Sequence, residues 1–323
     1  MDHTESPTPT PRAANGVNRR SLIVGAGAAA LGGAALAGGS VRPANAQRGT
    51  ALIGPAKRTQ LHVMTFNIRM ENIANTKPGQ PDHWPEREPI LEEVLRTEQP
   101  TLLGVQEAKY GQLPAIERAL PGHKMIGYGR AGGSHDEYSA IFYDTARIEV
   151  LEWDQFWLSD TPKVIGSATW GNRVTRIVVW ARMRDRNSGT EFAFINTHFD
   201  HQSEPARIKS ADAMIDLFSG GVVDGLPSIV TGDFNSSSRS SGAYQTLVTN
   251  GPMVDTWDTA EKRLTPEWNT FPGYKEPVAG GNRIDWVLTT DRIRTRRAAI
   301  NMFRVDGRYP SDHAPVQALI ELR

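Results

Sequence analysis

Cysteine is absent from this chain of 323 residues. That removes disulfides, thiolate metal ligands and a cysteine nucleophile from consideration. Net charge is absent too, with 36 basic side chains facing 36 acidic ones. A tight, nonspecific nucleic-acid binder carries a basic face, so the balance argues against that class, while leaving room for an enzyme that touches phosphate at one site. No apolar run reaches the roughly 20 residues of a membrane-spanning helix. Internal repeats are missing, and after residue 46 so is any low-complexity tract.

What is present begins with a twin arginine. Asn18-Arg19-Arg20-Ser21 precedes a weakly apolar run, Leu22 to Ala37, and Ala44-Asn45-Ala46 follows as a small-residue cleavage site. The pattern is that of a twin-arginine signal peptide over residues 1–46, which implies export to the periplasm or beyond. The alternative, a membrane anchor, needs a longer run. Twin-arginine export carries folded proteins, and a chain without cysteine suits assembly in a reducing cytoplasm. Removing Arg12, Arg19, Arg20 and Arg42 together with Asp2 and Glu5 leaves 32 basic against 34 acidic residues. The mature protein is expected to be a monomer with no stable membrane insertion. Residues 47–59 read as a polar linker and residues 60–323 as one domain.

Within that domain, apolar runs over Leu61–Phe66 and Thr101–Val105 read as strands. Helical spacing of Ile90, Val94 and Leu95 places a helix over Glu86–Glu98, with acids in its first turn, after a polar loop from Met70 to Pro85. A second helix runs through Leu113–Leu120. From Met125 the pattern turns to strands, over 125–128, 138–143, 148–156, 176–183 and 192–197. An amphipathic helix over Glu204–Phe218 leads to a strand over Leu226–Thr231, and a weaker helix spans Ser241–Thr249. Residues 252–282 read as irregular, and 284–288, 298–303 and 314–322 close the chain as strands. Strands and helices alternate through the chain twice, which implies two sheets packed face to face with helices outside.

Polar groups collect where these strands end. Asn67 follows Thr65-Phe66, Glu107 follows Val105-Gln106, His198 follows Asn196-Thr197, and Asp233 and Asn235 follow Thr231-Gly232. Asp285 sits in Arg283-Ile284-Asp285-Trp286, and Asp312-His313 precedes the last strand. Each has an ordinary reading: a turn for Asn67, a surface acid for Glu107, a satisfied histidine for His198, an Asx-turn for 233–235. Together they place polar groups at the loop ends of six strands, the usual location of α/β active sites. The donors are hard oxygens and imidazoles, which suit Mg²⁺, Mn²⁺ or Ca²⁺ better than zinc, and acids beside histidines suit proton transfer near neutral pH. A metal to neutralise phosphoryl oxygens and a base for water are the equipment of phosphoester hydrolysis.

The series TFNIR (65–69), VQEAK (105–109), DEYSAIFY (136–143), NTHFDH (196–201), TGDFNS (231–236), RIDWVL (283–288) and SDHAPV (311–316) resembles the endonuclease/exonuclease/phosphatase superfamily, in the family's order and from about residue 60 to the end. The resemblance implies a four-layer α/β sandwich of the deoxyribonuclease I type, two packed mixed sheets flanked by helices, with the site at one end. It further implies that Glu107 is the main metal ligand, with Asn67 beside it and Asp312 completing or supporting the shell. Asp233 would orient or deprotonate the attacking water, and Asn235 would donate to a phosphate oxygen. His313 would contact the scissile phosphate with Asp285 fixing its tautomer, by the logic of a catalytic triad. His198 resembles a second active-site histidine, paired with Glu137 in deoxyribonuclease-like members.

Arg69, Lys109 and Arg176 fall where that branch has phosphate-contacting basic residues. Trp170 and Asn172, in a Gly-containing loop, stand as substrate candidates, as does Arg87 at the start of the first helix beneath the 70–85 loop. His201 either joins them or caps the helix that follows. The activity implied is metal-dependent phosphoester hydrolysis, nuclease-like or nucleotide-directed ahead of a lipid head group or a sugar or inositol phosphate. A binding protein whose catalysis has lapsed is the non-enzyme alternative.

Overall fold

The computed structural model describes residues 49–323. The twin-arginine segment and its cleavage site therefore lie outside the described residues. Thirteen strands run in chain order as β1 (Leu61–Asn67), β2 (Leu102–Gln106), β3 (His123–Ile126), β4 (Ile141–Asp144), β5 (Ile148–Trp157), β6 (Ile177–Asp185), β7 (Glu191–His198), β8 (Ser228–Asp233), β9 (Met253–Asp255), β10 (Lys262–Arg263), β11 (Asp285–Thr290), β12 (Ile293–Ile300) and β13 (Val316–Leu322). They form a seven-stranded sheet, ordered β10-β12-β13-β1-β2-β4-β3, and a six-stranded sheet, ordered β5-β6-β7-β8-β11-β9. Both sheets are mixed. β1 runs parallel to β2 and β7 parallel to β8, while β13 and β11 flank these pairs antiparallel.

Alternating residues explain the layers, because a strand sends successive side chains to opposite faces. Leu61 and Val63 of β1 point into the space between the sheets with Val179, Phe194 and Ile229. Met64 and Phe66 point the other way, onto α1 (Trp84–Glu98) and α2 (Leu113–Ala119) through Leu91, Val94 and Ile116. On the second sheet Ile195 and Val230 meet Ala211 and Met214 of α3 (Glu204–Phe218). The result is the four-layer sandwich expected of the sequence. Among the described residues no helix is long and apolar enough to cross a membrane.

Near the site the sheets meet through a polar seam. A Cβ on Gly104 would come within 2.3 Å of Thr231 Oγ1 and 2.4 Å of Asn196 Oδ1, so only glycine lets β2 lie this close to the second sheet. Gln106 Nε2 donates to Asn196 Oδ1 at 2.7 Å, and Asn196 Nδ2 donates to the carbonyls of Val105 and Ala140. Buried hydrogen bonds of this kind fix the relative register of two sheets, which greasy side chains alone would leave free to slide.

Several elements differ from expectation. β9, β10 and a helical turn at Thr256–Thr259 lie inside the stretch read as irregular; at two to four residues each, they are too short to show periodicity. The strand expected over 298–303 is Ile293–Ile300, because Arg294, Arg296 and Arg297 mask its alternation and a bulge falls between Thr295 and Arg297. The helix expected over Ser241–Thr249 is a short turn, Gly242–Tyr244, that widens into a π-helix over Gln245–Thr249. The described part of the expected 47–59 linker, residues 49–59, is docked on the fold: the backbone N–H groups of Leu52, Ile53 and Gly54 donate to Glu98 of α1, and the Gly54 carbonyl accepts from His62 of β1.

Candidate active site

The C-terminal ends of β1, β2, β7 and β8 and the start of β11 converge on one cleft of about 470 Å³. Asn67 closes β1. Its Nδ2 donates to Glu107 Oε1 at 2.9 Å and to Asp233 Oδ2 at 3.0 Å, tying the first sheet to the second. Its Oδ1 accepts from the backbone N–H of Arg69 at 3.0 Å. Asn67 is therefore a cross-brace between two carboxylates, and its oxygen does not face them as a ligand would.

Three residues of the cleft occupy the left-handed region that side-chained residues avoid: Arg69 at φ 56°, Glu107 at φ 61° and Asn235 at φ 47°. Each costs on the order of 1 kcal/mol, and such strain gathers at functional sites because it aims a side chain the relaxed backbone would not. Glu107 so placed accepts from Asn67 and from the backbone N–H of Met70 at 3.2 Å. Burial favours its neutral form, but Asn67, His313 and Arg69 outweigh burial and hold Glu107 below the usual carboxylate range.

The second sheet contributes His198, Asp233 and Asn235. Asp233, 1% exposed, faces Asp285 across the β8–β11 pair. Burial and that neighbouring carboxylate push Asp233 up to about 7, against the pull of His313 and Asn67. His313 takes two contacts from Asp285 at its Nδ1, 3.0 and 3.2 Å long, so that nitrogen carries a proton. Burial works against charge on the ring, but Asp285 and Asp233 prevail and raise it to about 10. The two carboxylates thus favour the charged form of His313, whose Nε2 lies 3.7 Å from Asp233 Oδ2. The other histidine goes the opposite way: burial and the cations Arg176 and Arg130 keep His198 neutral, well below its ordinary value. Its Nε2 accepts from Asn235 Nδ2 at 3.0 Å and lies 3.4 Å from Asp233 Oδ2.

Asn235 departs from the role expected of it. Its two amide hydrogens go to His198 and to the carbonyl of Phe199, which leaves neither for a phosphate oxygen. Glu137 departs as well. It does not touch His198; Arg130 intervenes and holds it through two contacts of 2.8 and 2.9 Å. Burial still raises Glu137, as do the nearby Glu107 and Asp136.

The basic residues sort into three fates. Arg69 lines the cleft but is held by Asp82 at 3.2 Å, Glu107 at 3.5 Å and Asp312 at 3.8 Å. Arg176 also lines it, 4% exposed, with Nη2 against His201 Nδ1 at 3.1 Å and Nε–H buried without a partner. Lys109 is outside, paired with Asp136 at 3.3 Å. Arg87 is not a substrate group at all. It is 1% exposed, and its five N–H groups donate to the carbonyls of Asp82, Ile68, Pro310, Arg69 and Met70. Trp170 and Asn172 also lie outside the cleft. Trp170 Nε1 donates to Asp160, and Asn172 folds its own loop by accepting from Trp170 N–H and donating to Val174.

Arg130 and Phe271 line the cleft without having been singled out in the sequence. Arg130 sits in the Gly129–Gly133 turn, where an arginine among glycines is the one available signal. Phe271, 49% exposed, packs its ring 4.7 Å from that of His313. Its stretch carries no periodicity that would have marked it. His201 belongs to the cleft, and the helix cap it competed for is Ser203.

The donor set fits a hard divalent cation. Glu107, His198 and Asp233 bring ligand atoms within 4.8 Å of one another, as do Asp233, Asp285 and His313, although Asp285 is already hydrogen-bonded to His313. Asp312 faces Glu107 across the Arg69 guanidinium, and burial together with Glu107 raises its pKa. Burial first, and a neighbouring acid second, raise Asp233 and Asp312, whereas Glu107 is held down; oxygen donors without thiolate suit magnesium-like ions.

This fold and this arrangement define a class. The model of the endonuclease/exonuclease/phosphatase family matches residues 64–313, and the chain belongs to that family, whose members are phosphoester hydrolases that generally use divalent metals. A solved endonuclease/exonuclease/phosphatase from Bacteroides vulgatus is 32% identical, with a TM-score of 0.75 over 82% of this chain and 100% of that one. A Bacteroides thetaiotaomicron mannosyl-6-phosphatase is also 32% identical, with a TM-score of 0.72 over 80% of this chain and 99% of that one. The human Nocturnin catalytic domain, 17% identical with a TM-score of 0.63 over 83% and 97% of the two chains, shares the fold. An uncharacterised protein of Acanthamoeba polyphaga mimivirus is 26% identical over 189 residues, 55% of this chain and 69% of its own length.

Proposed function

We propose that the chain is an exported, divalent-metal-dependent phosphoesterase acting on a small phosphate ester, with a sugar phosphate ahead of nucleic acid. The observation that carries this reading is the charge bookkeeping of the cleft. Arg69 and Arg130 are each matched by carboxylates, and Arg176 is the one cleft arginine without an acidic partner within bonding reach among the described residues. A cleft that grips a nucleic-acid backbone needs surplus cations along a track, because affinity there grows with each phosphate neutralised. One uncommitted guanidinium in about 470 Å³ matches a single phosphoryl group on a small molecule. The relative named as a mannosyl-6-phosphatase supports a sugar phosphate.

In this reading Glu107 and Asp312 would be the oxygen donors for Mg²⁺ or Mn²⁺, and Asn67 sets the spacing between Glu107 and Asp233. The metal supplies neutralisation of the phosphoryl oxygens. Asp233, with a pKa near neutrality, receives the proton of the attacking water. His313 presents a charged Nε2–H to a phosphoryl oxygen, its tautomer fixed by Asp285. Arg176, the cleft guanidinium with no carboxylate partner, supplies positive charge for a second oxygen, and His198, oriented by Asn235, stays neutral beside Asp233.

One observation favours a nucleotide as the second reading: the exposed ring of Phe271 beside His313 is placed to stack on a base. A panel of sugar phosphates, inositol phosphates, mononucleotides, DNA, RNA and sphingomyelin, assayed with Mg²⁺ and Mn²⁺, separates the two. Sugar-phosphate turnover exceeding nucleotide turnover is the expected result. Preference for nucleotides overturns the substrate assignment, and no turnover of any ester with any divalent metal overturns the enzyme.

A further inference from the structure

A second cavity, of about 520 Å³, lies at the opposite end of the first sheet. Gln60, one of its lining residues, directly precedes β1, whereas Asn67 at the far end of β1 stands in the catalytic cleft. Seven residues of strand put the two about 20 Å apart. The cavity is roofed by Ile53 and Lys57 of the N-terminal segment and walled by Lys262 of the edge strand β10 and Arg296 and Arg297 of β12.

Its charges do not cancel. Glu261 and Glu321 are already committed: Glu261 bonds Arg294 and, at 3.0 Å, Arg296, and Glu321 bonds Arg296 at 2.7 Å. Among the described residues Lys57, Lys262 and Arg297 have no carboxylate partner, and all three are exposed. The Nε–H of Arg296 is buried and unpartnered in the same wall. Three free cations from three separate segments, facing one concave space, repel one another unless an anion sits between them. The catalytic cleft has no such surplus.

We propose that this cavity is a binding site for a compact oligophosphate anion, one carrying two or three adjacent phosphate groups, separate from the catalytic cleft. A single phosphate would fill only a small part of the roughly 520 Å³. A membrane surface needs a flat or convex face with projecting apolar side chains, whereas these cations line a hollow. Because Lys57 belongs to the N-terminal segment and Lys262 and Arg297 to the sheet edge, a bound anion also ties that segment to the fold.

The test is calorimetric titration of the full chain with inorganic tripolyphosphate in chelator, at low salt, beside the triple variant Lys57→Gln, Lys262→Gln, Arg297→Gln. The wild type is expected to bind, and the triple variant to bind at least about tenfold more weakly, with a shallower dependence on salt. Turnover of bis-p-nitrophenyl phosphate stays within twofold in that variant. The charge-preserving variant Lys57→Arg, Lys262→Arg retains affinity. Equal affinity in wild type and triple variant would place the anion in the catalytic cleft and overturn the proposal. So would absence of binding, or binding to phosphatidylglycerol vesicles without binding to tripolyphosphate.

Discussion

Asn67 and Asp233 meet across the two sheets, the amide nitrogen of one 3.0 Å from Oδ2 of the other, although 166 residues separate them in the chain. The same amide holds Glu107. One side chain therefore sets the distance between the acid that leads the expected metal shell and the acid placed to take a proton from water. The geometry of the candidate site is set by the packing of one sheet on the other.

From this arrangement, Asp233→Ala and His313→Ala are each expected to lower kcat/KM by about three orders of magnitude, the range of a lost general base or charged donor. Asp233→Ala should fold with little loss of stability, whereas His313→Ala strands the buried Asp285 and should fold with reduced stability. Asp233 is held away from its ionised form by burial and by Asp285, so the native state gains little from its charge. Steady-state kinetics with Mn²⁺ beside a urea melt checks both halves. Wild-type turnover in either variant would refute the assigned chemistry.

Arg87 should behave as structure. Its five donors fasten the backbone of 68–70 and of Pro310, the segments that carry Arg69 and lead into Asp312. Arg87→Lys can replace at most three of those bonds, so the variant is expected to lose about 2 kcal/mol of stability and to lower kcat with KM nearly unchanged. A raised KM with unaltered unfolding would return Arg87 to the substrate.

Arg130 and Glu137 form a pair whose members are costly alone. Arg130→Gln strands a buried carboxylate and is expected to cost about 3 kcal/mol; adding Glu137→Gln should recover most of it, since both charges are then gone. Denaturant unfolding of the two single variants and the double variant closes the cycle. Additive losses would mean the pair is not coupled.

The difference between Arg130 and Asp233 describes what the sequence could disclose. Asp233, Glu107, Asp285 and His313 stand beside apolar strands, so their neighbours announce where the chain delivers them, and the order of the motifs announced the family. Arg130 lies in a glycine turn, Phe271 in an aperiodic stretch and Asp82 in a polar loop. Their partners are fixed by tertiary packing that no local pattern encodes. For the same reason Arg87, Trp170 and Asn172 read from the sequence as substrate candidates. A sequence gives donor chemistry but not the carbonyls that use it up, and those carbonyls come from residues as distant as Pro310. β12 was displaced for a related reason: its outward arginines answer to solvent and to Glu261, not to the core that strand periodicity reports.

His62 supplies the pH dependence. It is fully buried under the N-terminal segment, its Nδ1–H donating to the carbonyl of Gly54 at 2.9 Å while Nε2 has no partner. Burial drives its pKa down to about 4, with the nearby Glu98 pulling the other way. The folded value is depressed below the unfolded 6.5, so between those values the unfolded chain binds the proton and the native one does not. The stability held above pH 6.5 is therefore lost as pH falls towards 4, by on the order of 3 kcal/mol from this residue. His62→Asn keeps a donor for Gly54 and cannot take up the proton. Urea unfolding at pH 7.5, 6, 5 and 4 is expected to show a flatter acid limb in the variant than in the wild type. Parallel limbs would mean that the ring is not held neutral, and that the segment anchored by Glu98 and Gly54 opens to let water reach it before the protein unfolds.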